Sequence, residues 1–163
     1  MLKWLWLSAL IVLLDQASKL AIDANMQLYQ SIPLLPYFNL TYARNTGAAF
    51  SLLAHAGGWQ RWLFAGLALG ISSVIAVWLK RLQRHETLMA VSLSLILGGA
   101  IGNLIDRVAY GYVIDFLHVY YQDWHWPAFN VADSAICIGV GLMLLENLTS
   151  KAATHSKTDR IES

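Results

Sequence analysis

Cysteine is almost absent from this chain. Cys137 stands alone, so no intrachain disulfide can form. Its place in the middle of a predicted helix suits a small apolar packing residue rather than a nucleophile. Charge is scarce as well. Of 163 residues 13% are charged and 57% hydrophobic, whereas a soluble domain carries about 25% charged residues. Such a chain is solvated mainly by lipid. The net charge of +1, with no basic stripe carrying interleaved aromatics, argues against a nucleic-acid partner. No glycine-rich phosphate loop occurs, and the length suits one membrane domain without a second module.

Long apolar runs are what the chain does have. A bilayer core requires about 20 apolar residues in a helix, and four stretches qualify: about Leu2–Ile22, Trp62–Leu79, Thr87–Ile105 and Val131–Leu148. The second and third contain no charge. The first holds Asp15 and Lys19, and the fourth holds Asp133 in its first turn. The expected fold is therefore an α-helical membrane protein, a four-helix bundle spanning residues 1–150, followed by a polar, poorly ordered tail over 151–163.

Basic residues set the expected orientation. Lys3, the Lys80-Arg81-Arg84 cluster, Lys151, Lys157 and Arg160 share one side of a four-pass chain. The positive-inside rule makes that side, with both termini, cytoplasmic. Trp4, Trp6 and Trp78 then mark the inner boundary, and Trp59, Trp62, Trp124 and Trp126 the outer one. Asp15, Asp23, Asp106, Asp115, Asp123 and Asp133 all fall in the outer half or outside. The N-terminal run lacks a small-x-small cleavage site and is broken by Asp15, so it reads as a retained helix rather than a signal peptide.

The two outer loops carry structure of their own. Phe38-Asn39-Leu40-Thr41-Tyr42 alternates as a half-buried strand does, and Arg44 to Phe50 reads as a turn with close backbone approach at Gly47. Residues 106–130 form a loop rich in Tyr, Trp and Phe, suited to the membrane surface.

Carboxylates inside lipid are costly, on the order of 2.5–3.5 kcal/mol at a helix centre. Asp115 and Asp133 therefore stand out. Asn103 and Arg107 share a face of the third helix, and Asp15 and Lys19 share one on the first, each pair four residues apart. Plain readings exist for each: a helix ion pair for Asp15–Lys19, interhelical glue for Asn103, a snorkelling Arg107, an N-terminal cap for Asn130 with Asp133. Their common depth favours one site. Two carboxylates that share a proton supply both a base for water and an acid for a scissile carbonyl, the chemistry of an aspartic peptidase.

Other chemistries fit less well. His85-Glu86-Thr87-Leu88-Met89 misses the second histidine of the zinc-peptidase motif and would face the cytoplasm. His118 and His125 make a weak metal-ligand pattern. Ser134 has neither elbow glycines nor an evident base. No metal or cofactor is expected.

Asp15-Gln16-Ala17-Ser18-Lys19, Asn45 to Phe50, Gly102 to Arg107, Val113 to Phe116 and Phe129 to Ser134 together resemble the motifs of the lipoprotein signal peptidase (signal peptidase II) family. The resemblance implies a bacterial inner-membrane aspartic protease with four transmembrane helices, an outer-face β-cradle and a short amphipathic helix over the site. It implies removal of signal peptides from prolipoproteins just before a diacylglyceryl-modified cysteine. By motif, Asp115 and Asp133 would be the catalytic pair. Asp15, Lys19, Asn45, Asn103, Arg107 and Asn130 would line or brace the site. The implied partners are lipidated prolipoproteins and membrane lipids, with the enzyme acting as a monomer.

Two alternatives compete. A small transporter could pass protons or cations along Asp15, Asp115 and Asp133, but the inner halves of the second and fourth helices are nearly pure apolar apart from Ser72 and Ser73. A non-catalytic subunit could use the polar outer face to bind a partner.

Overall fold

The computed structural model describes residues 1–47 and 57–159, with side chains as far as Thr149. After a single 3₁₀ turn at Leu2–Trp4, helix α1 runs Leu5–Asn25. Its buried residues are Ser8, Asp15 and Lys19, while Leu10, Leu13, Leu14 and Leu20 are exposed. This reverses the pattern of a water-soluble helix. With lipid outside, the apolar face turns outward and the polar face turns into the bundle.

Strands β1 (Ser31–Leu35) and β2 (Phe38–Asn45) follow, then helices α2 (Gln60–Arg81) and α3 (Thr87–Ala109). Strands β3 (Val113–Tyr121) and β4 (Trp124–His125) precede helix α4 (Val131–Asp159). A helix occupies each of the four expected stretches: α1 is shifted three residues towards the C-terminus, α2 is two residues longer at each end, α3 runs four residues further, and α4 eleven. All four helices are long and apolar enough to cross a membrane.

α3 is the central helix, packing on α1, α2 and α4. Ile75 and Leu79 of α2 meet Met89, Ala90, Leu93, Ile96 and Leu97 of α3 in the main apolar core. The approach of α3 to α4 depends on glycine. A Cβ on Gly99 would run into the Ala132 carbonyl oxygen and lie 2.7 Å from Ile136 Cγ1. The two backbones meet there with no space for a side chain, as small residues allow in membrane bundles.

The strands form one antiparallel sheet in the order β1-β2-β3-β4. β2 and β3 pair from Phe38↔Val119 to Asn45↔Val113, with an irregularity between Leu40 and Ala43. Tyr42, Ile114 and Phe116 bury against Ile22 and Met26 at the end of α1, which fixes the sheet to the bundle. β3 was not anticipated; its stretch reads in sequence as aromatic loop. Val113 to Phe116 are all buried, so the strand lacks the alternation of a half-exposed one. The expected turn at Arg44 begins later, because β2 continues to Asn45 and bends at Thr46–Gly47. The short amphipathic helix implied by the resemblance is expected in the loop around residues 38–58, of which 48–56 lie outside the described residues. α4 also continues to Asp159, through a stretch expected to be poorly ordered. Residues 150–159 contain neither proline nor glycine, so nothing in them stops a helix.

Candidate active site

The polar face of α1, the last turns of α3, the start of β3 and the first turn of α4 converge beside the sheet. Asp115 lies two residues into β3 and is 3% exposed. Asp133 lies in the first turn of α4. Both line a cavity of about 530 Å³, with Asn45, Asn103 and Arg107 completing its polar wall. Val113, Trp126, Phe129 and Ile136 line the apolar remainder.

Asn130 links the two carboxylates. Its side-chain amide donates to Asp115 Oδ1 at 2.7 Å, and its backbone N–H donates to Asp133 Oδ2 at 3.2 Å. Its side-chain oxygen accepts the Asp133 N–H at 2.9 Å, closing a reciprocal cap on α4. The cap and the site are thus the same structure. Asn103 donates to Asp133 Oδ1 at 2.7 Å, and its own oxygen accepts from Lys19 Nζ at 3.0 Å and from Asn130 at 3.2 Å. From the end of β2, Asn45 donates to Asp115 Oδ2 at 3.1 Å. Every oxygen of the two aspartates therefore accepts a hydrogen bond from a neutral N–H, and no cation pairs directly with either among the described residues. Burial, and then the charge of Asp133, push the Asp115 carboxyl up to about 7, against weaker opposition from Asn45 and Asn130.

Arg107 is half-buried, donates to the carbonyls of Asn103 at 3.3 Å and Gly47 at 3.4 Å, and lies over the Phe64 ring. It fastens the β2 end to α3 rather than merely reaching for headgroups. Lys19 is 1% exposed and pairs with Asp15 at 2.8 Å and Asp106 at 3.0 Å. The Asp15–Lys19 helix pair is real but is only part of a larger buried network. Asp106 and Gln16 belong to that network and were not singled out from sequence. Gln16 donates to Asp106 Oδ1 at 2.8 Å and to the Gly102 carbonyl at 3.2 Å. The available signal was spacing: Asp106 is three residues from Asn103, and Gln16 three from Lys19, so each shares or borders the inward face.

Cys137 departs from expectation. It is exposed and lines the cavity four residues after Asp133, instead of packing among helices. His118 and His125 face each other at 3.1 Å on the sheet and do not line this cavity. No group of three metal-ligating side chains occurs among the described residues.

Residues 7–149 match the family model for signal peptidase (SPase) II. The chain belongs to the signal peptidase II family. Members are membrane aspartic peptidases that remove signal peptides from prolipoproteins. A lipoprotein signal peptidase of Pseudomonas fluorescens is 55% identical over 160 residues, 97% of this chain and 94% of that protein. One from Pseudoalteromonas atlantica is 50% identical over 150 residues, covering 92% of each. Among solved structures, a bacterial membrane enzyme determined in meso at 2.3 Å superposes with a TM-score of 0.84 at 30% identity, covering 93% of this chain and 90% of that one. The fold shared with that membrane enzyme thus extends over nearly the whole chain.

Proposed function

We propose that this protein removes the signal peptide from diacylglyceryl-modified prolipoproteins, cutting just before the lipidated cysteine, with Asp115 and Asp133 as the catalytic pair. The carrying observation is Asn130, one side chain and its own backbone N–H joined to both carboxylates on the wall of one cavity.

Just below about pH 7 the pair holds a single proton, because burial and mutual repulsion oppose a second charge on Asp115. The ionised carboxylate takes a proton from a water lying between the two. The water oxygen bonds to the scissile carbonyl carbon while the protonated partner gives its proton to the carbonyl oxygen. The tetrahedral gem-diol then collapses: the C–N bond breaks, the amine leaves with a proton from one carboxyl, one gem-diol hydroxyl returns its proton to the other, and the signal peptide departs as a carboxylic acid. Asn45, Asn103 and Asn130 hold the carboxylates, and Arg107 holds the neighbouring backbone at Gly47.

The Lys80-Arg81-Arg84 cluster lies at the α2–α3 connection, the end of α3 opposite Asn103 and Arg107. By the positive-inside rule that end is cytoplasmic, with both termini, and the cavity opens near the periplasmic face. A lipidated precursor presents its scissile bond at that depth.

Asp115→Asn and Asp133→Asn test the pair. Each is expected to lower cleavage of lipidated precursor by about 10²–10⁴-fold, the usual contribution of an acid–base group. Normal processing by both variants, in protein that inserts at wild-type levels, would overturn the assignment.

A further inference from the structure

The residues immediately before the two aspartates are held in the same way. Ile114 N–H donates to Asp106 Oδ2 at 3.1 Å, and Ala132 N–H donates to Asp15 Oδ1 at 2.9 Å. The second bond satisfies an amide at the N-terminus of α4 that has no partner in its own helix. One cation joins the two acceptors: Lys19 Nζ lies 2.8 Å from Asp15 Oδ2 and 3.0 Å from Asp106 Oδ2. Asp15, Lys19 and Asp106 are each at most 1% exposed. Gly102 leaves room for Asp15 here, since a Cβ there would sit 2.6 Å from Asp15 Oδ2.

We infer that Asp15, Lys19 and Asp106 form a positioning clamp that fixes the separation of Asp115 and Asp133 by gripping the peptide N–H just before each. β3 and α4 are separate elements joined near the site by the Leu117–Phe129 bridge and by Asn130, but neither contact holds the N–H just before either aspartate. The clamp references both to one ammonium group on α1. Asp106 near the C-terminal end of α3 is unfavourably placed for that helix's dipole, and Lys19 offsets the charge. None of the three lines the cavity; Lys19 reaches its wall through Asn103 Oδ1, and Asp15 and Asp106 act through backbone geometry.

This inference rests on the catalytic pair proposed above, and the experiment separates the two. Full-length Asp15→Asn, Asp106→Asn and the double variant are assayed on lipidated precursor beside Asp115→Asn. A relaxed spacing costs about 100-fold in rate for a misplacement of about 1 Å. Each single clamp variant is expected to lose about that much kcat with KM changed less than about threefold, and the double variant to lose no more, since all disable one device. In Lys19→Met, hydrogen exchange at both Ile114 and Ala132 should accelerate together while the centre of α2 stays protected. If Asp106→Asn does not accumulate, Asp106→Glu, which keeps the charge but shifts the oxygens, carries the same expectation. Near-normal kcat, additive losses, or unchanged exchange at either amide would overturn the clamp. If Asp115→Asn itself cleaves normally, the catalytic pair falls instead.

Discussion

At the residue scale the decisive property is that Asp115 keeps a proton where an ordinary aspartate has lost it. Its carboxyl is pushed up to about 7 by burial and by Asp133, so the pair contains an acid below that pH and loses it as pH rises through it. kcat/KM on lipidated precursor should therefore fall above about pH 7, roughly tenfold per unit. Asn45 opposes the shift, because its amide donates to Asp115 Oδ2 and favours the charged form. Asn45→Ala should move the alkaline limb to higher pH, besides lowering the rate. pH–rate profiles of the two proteins check this, and a limb displaced to lower pH would contradict it. The candidate residues themselves could be read from sequence, because an ionisable group in an apolar run carries a penalty unless it is partnered. Asp106 is harder to read, because next to Arg107 in sequence it points away from the face that Asn103 and Arg107 share, and its partners Lys19 and Ile114 lie on other elements.

At the element scale the bundle depends on how closely α3 approaches α1 and α4. Gly102→Ala would bring a Cβ to 2.6 Å from Asp15 Oδ2 and 3.3 Å from Ala132 Cβ. The carboxylate cannot swing aside without releasing Lys19 and the Ala132 amide. A loss of about 1–3 kcal/mol is expected for this overpacking, visible as a lower melting temperature in detergent together with lower activity. Gly66→Ala on α2, whose Cβ meets nothing within 4 Å, is the control and should leave both unchanged or slightly improved. The four helices were legible because length and apolarity alone define a membrane span. β3 was not, because burial on both faces erased its period.

At the scale of the whole molecule, an apolar wall stands beside two carboxylates at one end of a lipid-facing bundle. Acyl chains embedded in the outer leaflet would hold the substrate cysteine at that level, and burial of each CH₂ is worth about 0.8 kcal/mol. Precursor lacking the diacylglyceryl group should consequently be cut far more slowly than the lipidated form at equal concentration. Equal rates in detergent micelles would remove the lipid from the recognition scheme.

Composition and residue order by themselves determined that this chain lives in a bilayer, how many times it can cross, and which polar side chains must turn inward. These follow from transfer free energies, which each segment feels wherever its neighbours lie. Only the tertiary structure decided that Asn130 serves two carboxylates, that Asp106 answers to Lys19, and that Cys137 faces the cavity. The Asn130–Asp115 and Lys19–Asp106 contacts join residues 15 and 87 positions apart, and the place of Cys137 depends on the rotation of one helix against another. They are set by backbone approach at glycines and by strand register, which have no local signature in the chain.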